Sequence, residues 1–158
     1  MSTAEQPAKA DPPNVKAAQP GLYDPSDTAP QFAASTCAAC GTVSFPAMTV
    51  GCEVCGALED QLTDTPIAAA GTLHSVATVH LHRGKDIEAP FTIAEVKLDA
   101  GPLIRATLLE VIDVDAIGQR VEAQWVQTHT DDEGAAIVEP RFALSSSTTP
   151  TSATEVAS

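Results

Sequence analysis

All four cysteines of this chain fall in two matching hooks, Cys37-Ala-Ala-Cys40-Gly41 and Cys52-Glu-Val-Cys55-Gly56, with residues 42–51 between them. A Cys-x-x-Cys turn aims two sulfurs at one point. The glycine that follows lets the backbone turn tightly, so that amide N–H groups point back at the thiolates. Two such knuckles facing each other make a tetrahedron of sulfur, a donor set suited to Zn²⁺. Cys37, Cys40, Cys52 and Cys55 would fill every position, leaving none for water or substrate, so the metal is expected to be structural. A disulfide framework belongs to oxidising compartments. A thioredoxin-like pair needs one hook on a helix within a βαβ pattern, which the chain does not display. Iron in a rubredoxin-type site uses the same four ligands and stays open beside zinc.

The length, 158 residues, allows one domain and an appendage. No apolar run approaches the roughly 18 residues of a transmembrane helix. The start, Met-Ser-Thr-Ala-Glu-Gln-Pro, has neither the charged nor the apolar region of a secretory signal, and a soluble cytoplasmic protein is expected. The formal net charge of −13, from 8 basic and 21 acidic residues, opposes binding to nucleic acid.

Residues 1–29 read as a flexible segment, disordered or draped on a partner, in which Leu22 and Tyr23 form a short apolar hook. The metal ribbon spans 30–66; Val43, Phe45, Pro46 and Met48 lie between the knuckles, with Phe45 placed to cover the cluster, and 57–68 reads as an acidic connector. From residue 67 to 144 the pattern has a period of two. Leu73, Ser75, Ala77, Val79 and Leu81 alternate with His74, Thr78, His80 and His82 along a first long strand. Further strands follow over 91–98, 103–111, 120–128 and 135–144, with a short turn or helical crossing at 113–117. The Ser/Thr-rich end, 145–158, reads as a disordered tail.

Five closely spaced strands suit a small closed barrel better than a sandwich, and the OB-fold is the five-stranded barrel of that kind. The predicted architecture is therefore mainly β: a metal ribbon followed by an OB-fold barrel, with loose ends.

Pro30-Gln31-Phe32, the two cysteine hooks, Phe45-Pro46, Gly71-Thr-Leu-His-Ser, the stretch from Pro90 through Leu98 to Gly101, Ile117-Gly118 with Val121, and Glu139-Pro140-Arg141-Phe142 come in a characteristic order. Over about residues 30–144 the chain resembles the family that joins a rubredoxin-like zinc ribbon to an OB-fold, found as small partners of acyl-CoA enzymes. The resemblance implies a non-catalytic accessory subunit of a thiolase-type complex acting on acyl-CoA thioesters, stabilising its partner and helping to hold or channel the CoA ester. Sterol-carrier-like aldolases and MaoC-like hydratases are the alternative partners. Family members commonly carry a longer helical segment before the ribbon, where this chain has residues 21–36.

The residues themselves agree on one negative. There is no Ser-His-Asp arrangement or glycine-rich phosphate loop, and the ribbon uses every cysteine a thiolase nucleophile would require. Arg83 and Lys85, in the first long loop of the barrel, are the candidate contacts to CoA phosphates. Arg105, Arg120 and Arg141 read as strand-face charges paired to carboxylates, Trp125 as core, and His74, His80 and His82 as solvent-facing. Two other function classes stand beside the subunit reading. A single-stranded nucleic-acid binder would need a basic groove and stacking aromatics. An electron carrier would need iron in the ribbon.

Overall fold

The computed structural model describes residues 14–85 and 87–145. Nine strands are present: β1 (Val15–Ala17), β2 (Gln31–Cys37), β3 (Val43–Ser44), β4 (Leu62–Ala68), β5 (Ala70–Val79), β6 (Phe91–Leu98), β7 (Leu103–Thr107), β8 (Arg120–Thr130) and β9 (Ala136–Leu144). Single 3₁₀ turns occupy Glu59–Gln61 and Val114–Ala116. The strands make two sheets, β3-β2-β4 and β1-β9-β8-β5-β6-β7.

The larger sheet curls until its ends meet. Leu108 forms a parallel bridge to Phe142, and the Leu109 amide donates to the Phe142 carbonyl at 2.8 Å. Taken from β5 to β9, five strands in this order with closure of the third on the fifth make an OB-fold barrel. Leu73, Val96, Leu98, Val121 and Phe142 fill its interior and are almost wholly shielded from solvent. Gly71 is required where β5 crosses β6 closely, because a Cβ there would meet the Lys97 carbonyl oxygen at 2.1 Å.

The expected inward face of the first barrel strand is correct only at its start. The register against β6 slips between Leu73 and Ser75. This bulge at His74 exchanges the faces, so that Val76 packs on the core while Ala77 and Leu81 are exposed. Ser75 then turns outward, and its hydroxyl donates to Glu95 Oε2 at 2.9 Å. Glu95 in turn lies 3.7 Å from Arg105 on β7. The three histidines are exposed, as expected.

The acidic connector expected over 57–68 is instead largely strand β4, paired with β2 from Cys37↔Leu62 to Gln31↔Ala68. The acidic turn before it and Asp64 within it conceal the alternation, in which Asp64 faces solvent while Ile67 is buried. Pro66 is accommodated because β4 is the edge of the ribbon sheet.

Residues 14–29, expected as part of a flexible segment, form a strap on their own barrel; residues 1–13 of that segment and all of the expected tail beyond Ser145 lie outside the described residues. β1 pairs in parallel with β9. Lys16 Nζ reaches Asp131 Oδ2 at 2.8 Å and also binds Glu133, and the two carboxylates raise its pKa. The Tyr23 ring is buried 5.6 Å from the Trp125 ring, and the Trp125 indole N–H donates to the Asp27 carbonyl at 2.9 Å. Trp125 is thus half-buried, packed against the core as expected, and also clamps the strap.

Ribbon and barrel share one apolar interior. Phe45 stacks on Phe32 with ring centroids 4.6 Å apart, and Phe32 lies 6.3 Å from Phe142. Phe45 therefore faces the barrel. Replacing Phe32 with alanine empties the middle of this row and should cost about 3–5 kcal/mol of unfolding free energy. Trp125→Phe, which mainly removes the bond to the strap, should cost only about 1 kcal/mol. Urea denaturation monitored by circular dichroism checks both, and equal losses would refute the assignment of their roles.

Candidate metal centre

Each cysteine hook is built by the same backbone hydrogen bonds. The Gly41 amide donates to the Cys37 carbonyl at 2.7 Å and the Gly56 amide to the Cys52 carbonyl at 2.9 Å. Both glycines sit in the left-handed region, at φ +75° and +74°, which any β-carbon would strain. Cys37 ends β2, and its amide donates to the Thr42 carbonyl; in the second hook the Cys52 amide donates to the Ala57 carbonyl. The two knuckles are local copies facing each other across the end of the ribbon.

They bring all four sulfurs within 4.8 Å of one another. Cys37 Sγ lies 3.7 Å from Cys55 Sγ, and Cys40 Sγ lies 3.6 Å from Cys52 Sγ. Those distances are far beyond a sulfur–sulfur bond of about 2.05 Å. They match the edge of a tetrahedron, about 3.8 Å, that follows from metal–sulfur bonds of about 2.3 Å. Cys37 and Cys52 are buried, whereas Cys40 and Cys55 face outward. The four cysteines could hold a metal ion, and the geometry suits a closed tetrahedral site.

The electrostatics agree. The Thr42 hydroxyl, 3.2 Å from Cys40 Sγ, and the Thr42 amide favour the Cys40 thiolate and bring its pKa down to about 6. The Ala57 amide likewise favours the Cys55 thiolate, but the facing sulfurs of Cys40, Cys37 and Cys52 and partial desolvation outweigh it and push Cys55 up to about 12. Several thiolates cannot share so small a space unaided. A dication among them relieves that repulsion and draws off the remaining protons.

Arg83 and Lys85 lie outside this centre. Both are exposed in the loop between β5 and β6. The other arginines are paired: Arg120 with Asp99 at 2.8 Å, holding that carboxyl below the usual aspartate range, Arg141 with Glu139 at 2.7 Å, and Arg105 with Glu95. At the ribbon's end, Val50, Val54 and Leu58 are 80, 65 and 70 % exposed, an apolar set absent from the sequence reading. Their signal was available as large aliphatic side chains within and beside the second hook.

Residues 64–126 match the family described as the C-terminal OB-fold domain of ChsH2, from within β4 to within β8. A chain of the solved Ltp2-ChsH2(DUF35) aldolase is 26 % identical to this one, with a TM-score of 0.54, covering 71 % of this chain and 83 % of its own length. The barrel is thus similar to that of ChsH2. The resemblance to ribbon-plus-OB partner proteins therefore holds in sequence, in fold and in the clustering of the cysteines. No curated protein matches the chain significantly. Among the described residues no helix is long and apolar enough to cross a membrane.

Cys40→Ser leaves three thiolates and should lower bound metal at least tenfold, with loss of ribbon order while the barrel's β-sheet signal persists. Elemental analysis and circular dichroism of the purified variant check this. Full metal content in the variant would show that the four sulfurs do not act as one site.

Proposed function

We propose that this chain is the non-catalytic accessory subunit of a complex built around an aldolase of thiolase type that acts on acyl-CoA thioesters, with one structural Zn²⁺ in its ribbon. The observation that carries the reading is the likeness, over 71 % of the chain, to a chain of the Ltp2-ChsH2(DUF35) aldolase. The chemistry of the ribbon supports it. Four protein sulfurs saturate a tetrahedral ion, so the metal would hold structure and leave the bond-making groups to the partner. An exposed apolar set at the ribbon tip, Val50, Val54 and Leu58, suits burial against another protein. Zinc is the common occupant of a closed structural Cys₄ site; iron takes the same four thiolates, and a colourless protein would distinguish them.

In this reading the barrel helps to hold or channel the CoA ester. Arg83 and Lys85, exposed on the β5–β6 loop, are the proposed phosphate contacts. Guanidinium and ammonium groups on a mobile side chain can meet phosphate without a preformed pocket. The net charge of −13 repels polyanions elsewhere on the surface, which would confine a CoA headgroup to the side chains of Arg83 and Lys85, ahead of Asp86 and Glu88 in the sequence.

Co-expression with an aldolase of thiolase type encoded beside it should yield a stable hetero-oligomer that cleaves an acyl-CoA substrate, whereas the chain alone should turn over none. Within the complex, Arg83→Ala combined with Lys85→Ala should raise KM for the CoA ester several-fold and leave kcat nearly unchanged. Turnover by the isolated chain would end the accessory reading. An unchanged KM would remove the phosphate role alone.

A further inference from the structure

β1 lies at the edge of the six-stranded sheet, and among the described residues its strand partner is β9. The parallel ladder uses the Asn14 carbonyl, which accepts from the Ala136 amide at 2.9 Å, and the Ala18 amide, which donates to the Val138 carbonyl at 2.8 Å. Backbone groups alternate in direction along a strand. Those of Val15 and Ala17 therefore point away from β9, toward the open side of the sheet.

That open side is not flat solvent. A groove of about 690 Å³ runs beside β1, with Tyr23, Phe32, Pro66 and Ile137 contributing apolar surface. Its charged lining is unbalanced: Asp24 and Asp27 bring carboxylates, while Lys16, the one cation there, is already bound to Asp131 and Glu133. An edge strand with outward N–H and C=O groups beside an apolar trough is the arrangement by which proteins receive an added strand. The acidic lining disfavours a phosphate-bearing ligand such as CoA and favours an apolar segment that carries a positive charge.

We propose that β1 and this groove receive an extended segment of the partner subunit, pairing with the Val15 and Ala17 backbone and placing a lysine or arginine against Asp24 and Asp27. The partner's identity rests on the reading above; the chemistry of the edge does not.

Two arms test it. An acetylated, amidated octapeptide alternating valine with lysine is titrated into the full-length protein while amide exchange is followed, with a valine–glutamate peptide as control. The lysine peptide should slow exchange at Val15 and Ala17, and general attraction to an acidic protein would not select those two amides. Val15→Pro and Ala17→Pro remove the outward N–H groups while leaving the bonds to β9, as an edge strand tolerates. Each should weaken the peptide, and also the aldolase-type partner, by about tenfold. Asp24→Asn with Asp27→Asn should weaken the lysine peptide without changing the fold. Unchanged exchange at both amides, or partner affinity unaltered by the proline variants, overturns the proposal and leaves the accessory reading intact. Release of protection at Val15 and Ala17 on deleting residues 1–13 would assign the edge to the chain's own segment and also overturn it. If no complex forms with the unaltered chain, the accessory reading fails and the partner assignment falls with it.

Discussion

The ribbon depends on four sulfurs gathered within 4.8 Å of one another. Its sheet has only three strands, one of them just Val43–Ser44, and too little apolar surface of its own to order both knuckles. A tetrahedral dication would supply the missing cohesion, and binding of this kind contributes on the order of 10–16 kcal/mol in small zinc-dependent modules. Gly41 and Gly56 make the turns that present the sulfurs, while the Thr42 hydroxyl settles negative charge on Cys40. Sulfur–sulfur edges of 3.6 and 3.7 Å are the geometric signature of that arrangement.

From the knuckles, order passes to the barrel through aromatic packing. β2 carries Cys37 at one end and Phe32 near the other, so the strand that presents a sulfur also inserts a ring between Phe45 and Phe142. The strap then closes over this joint, with Tyr23 buried and Trp125 bonded to the Asp27 carbonyl. Ribbon, strap and barrel consequently bury one apolar cluster. The same packing leaves Val50, Val54 and Leu58 outside it, at the far end of the ribbon. A protein so arranged offers an exposed apolar tip and an open strand edge.

The cysteine spacing made the metal centre legible, because four ligands in two hooks permit few geometries. The barrel was legible as five alternating segments, and β6 matches its expected span, Phe91–Leu98. What sequence pattern could not convey was register. One extra residue at His74 reverses the faces of β5, and nothing local to Leu73-His74-Ser75 announces it. β4 was hidden by Asp64, by the acidic turn before it and by Pro66, which only an edge position makes harmless. The strap was hidden for another reason: Leu22 and Tyr23 read as an isolated apolar pair until Phe32 and, far along the chain, Trp125 are brought beside them. Arg83 and Lys85 remain loop residues whose role depends on a partner and a ligand.

The central claim is that a metal holds the ribbon as a platform for assembly and takes no part in chemistry. Hydrogen exchange of the full chain before and after chelation tests it most directly, with affinity for the aldolase-type partner read on the same samples. The account predicts that chelation exposes the amides of β2, β3 and the knuckles, leaves β5, β6 and β8 protected, and abolishes assembly. Undiminished protection in the ribbon, together with unchanged assembly of the metal-free chain, would contradict it.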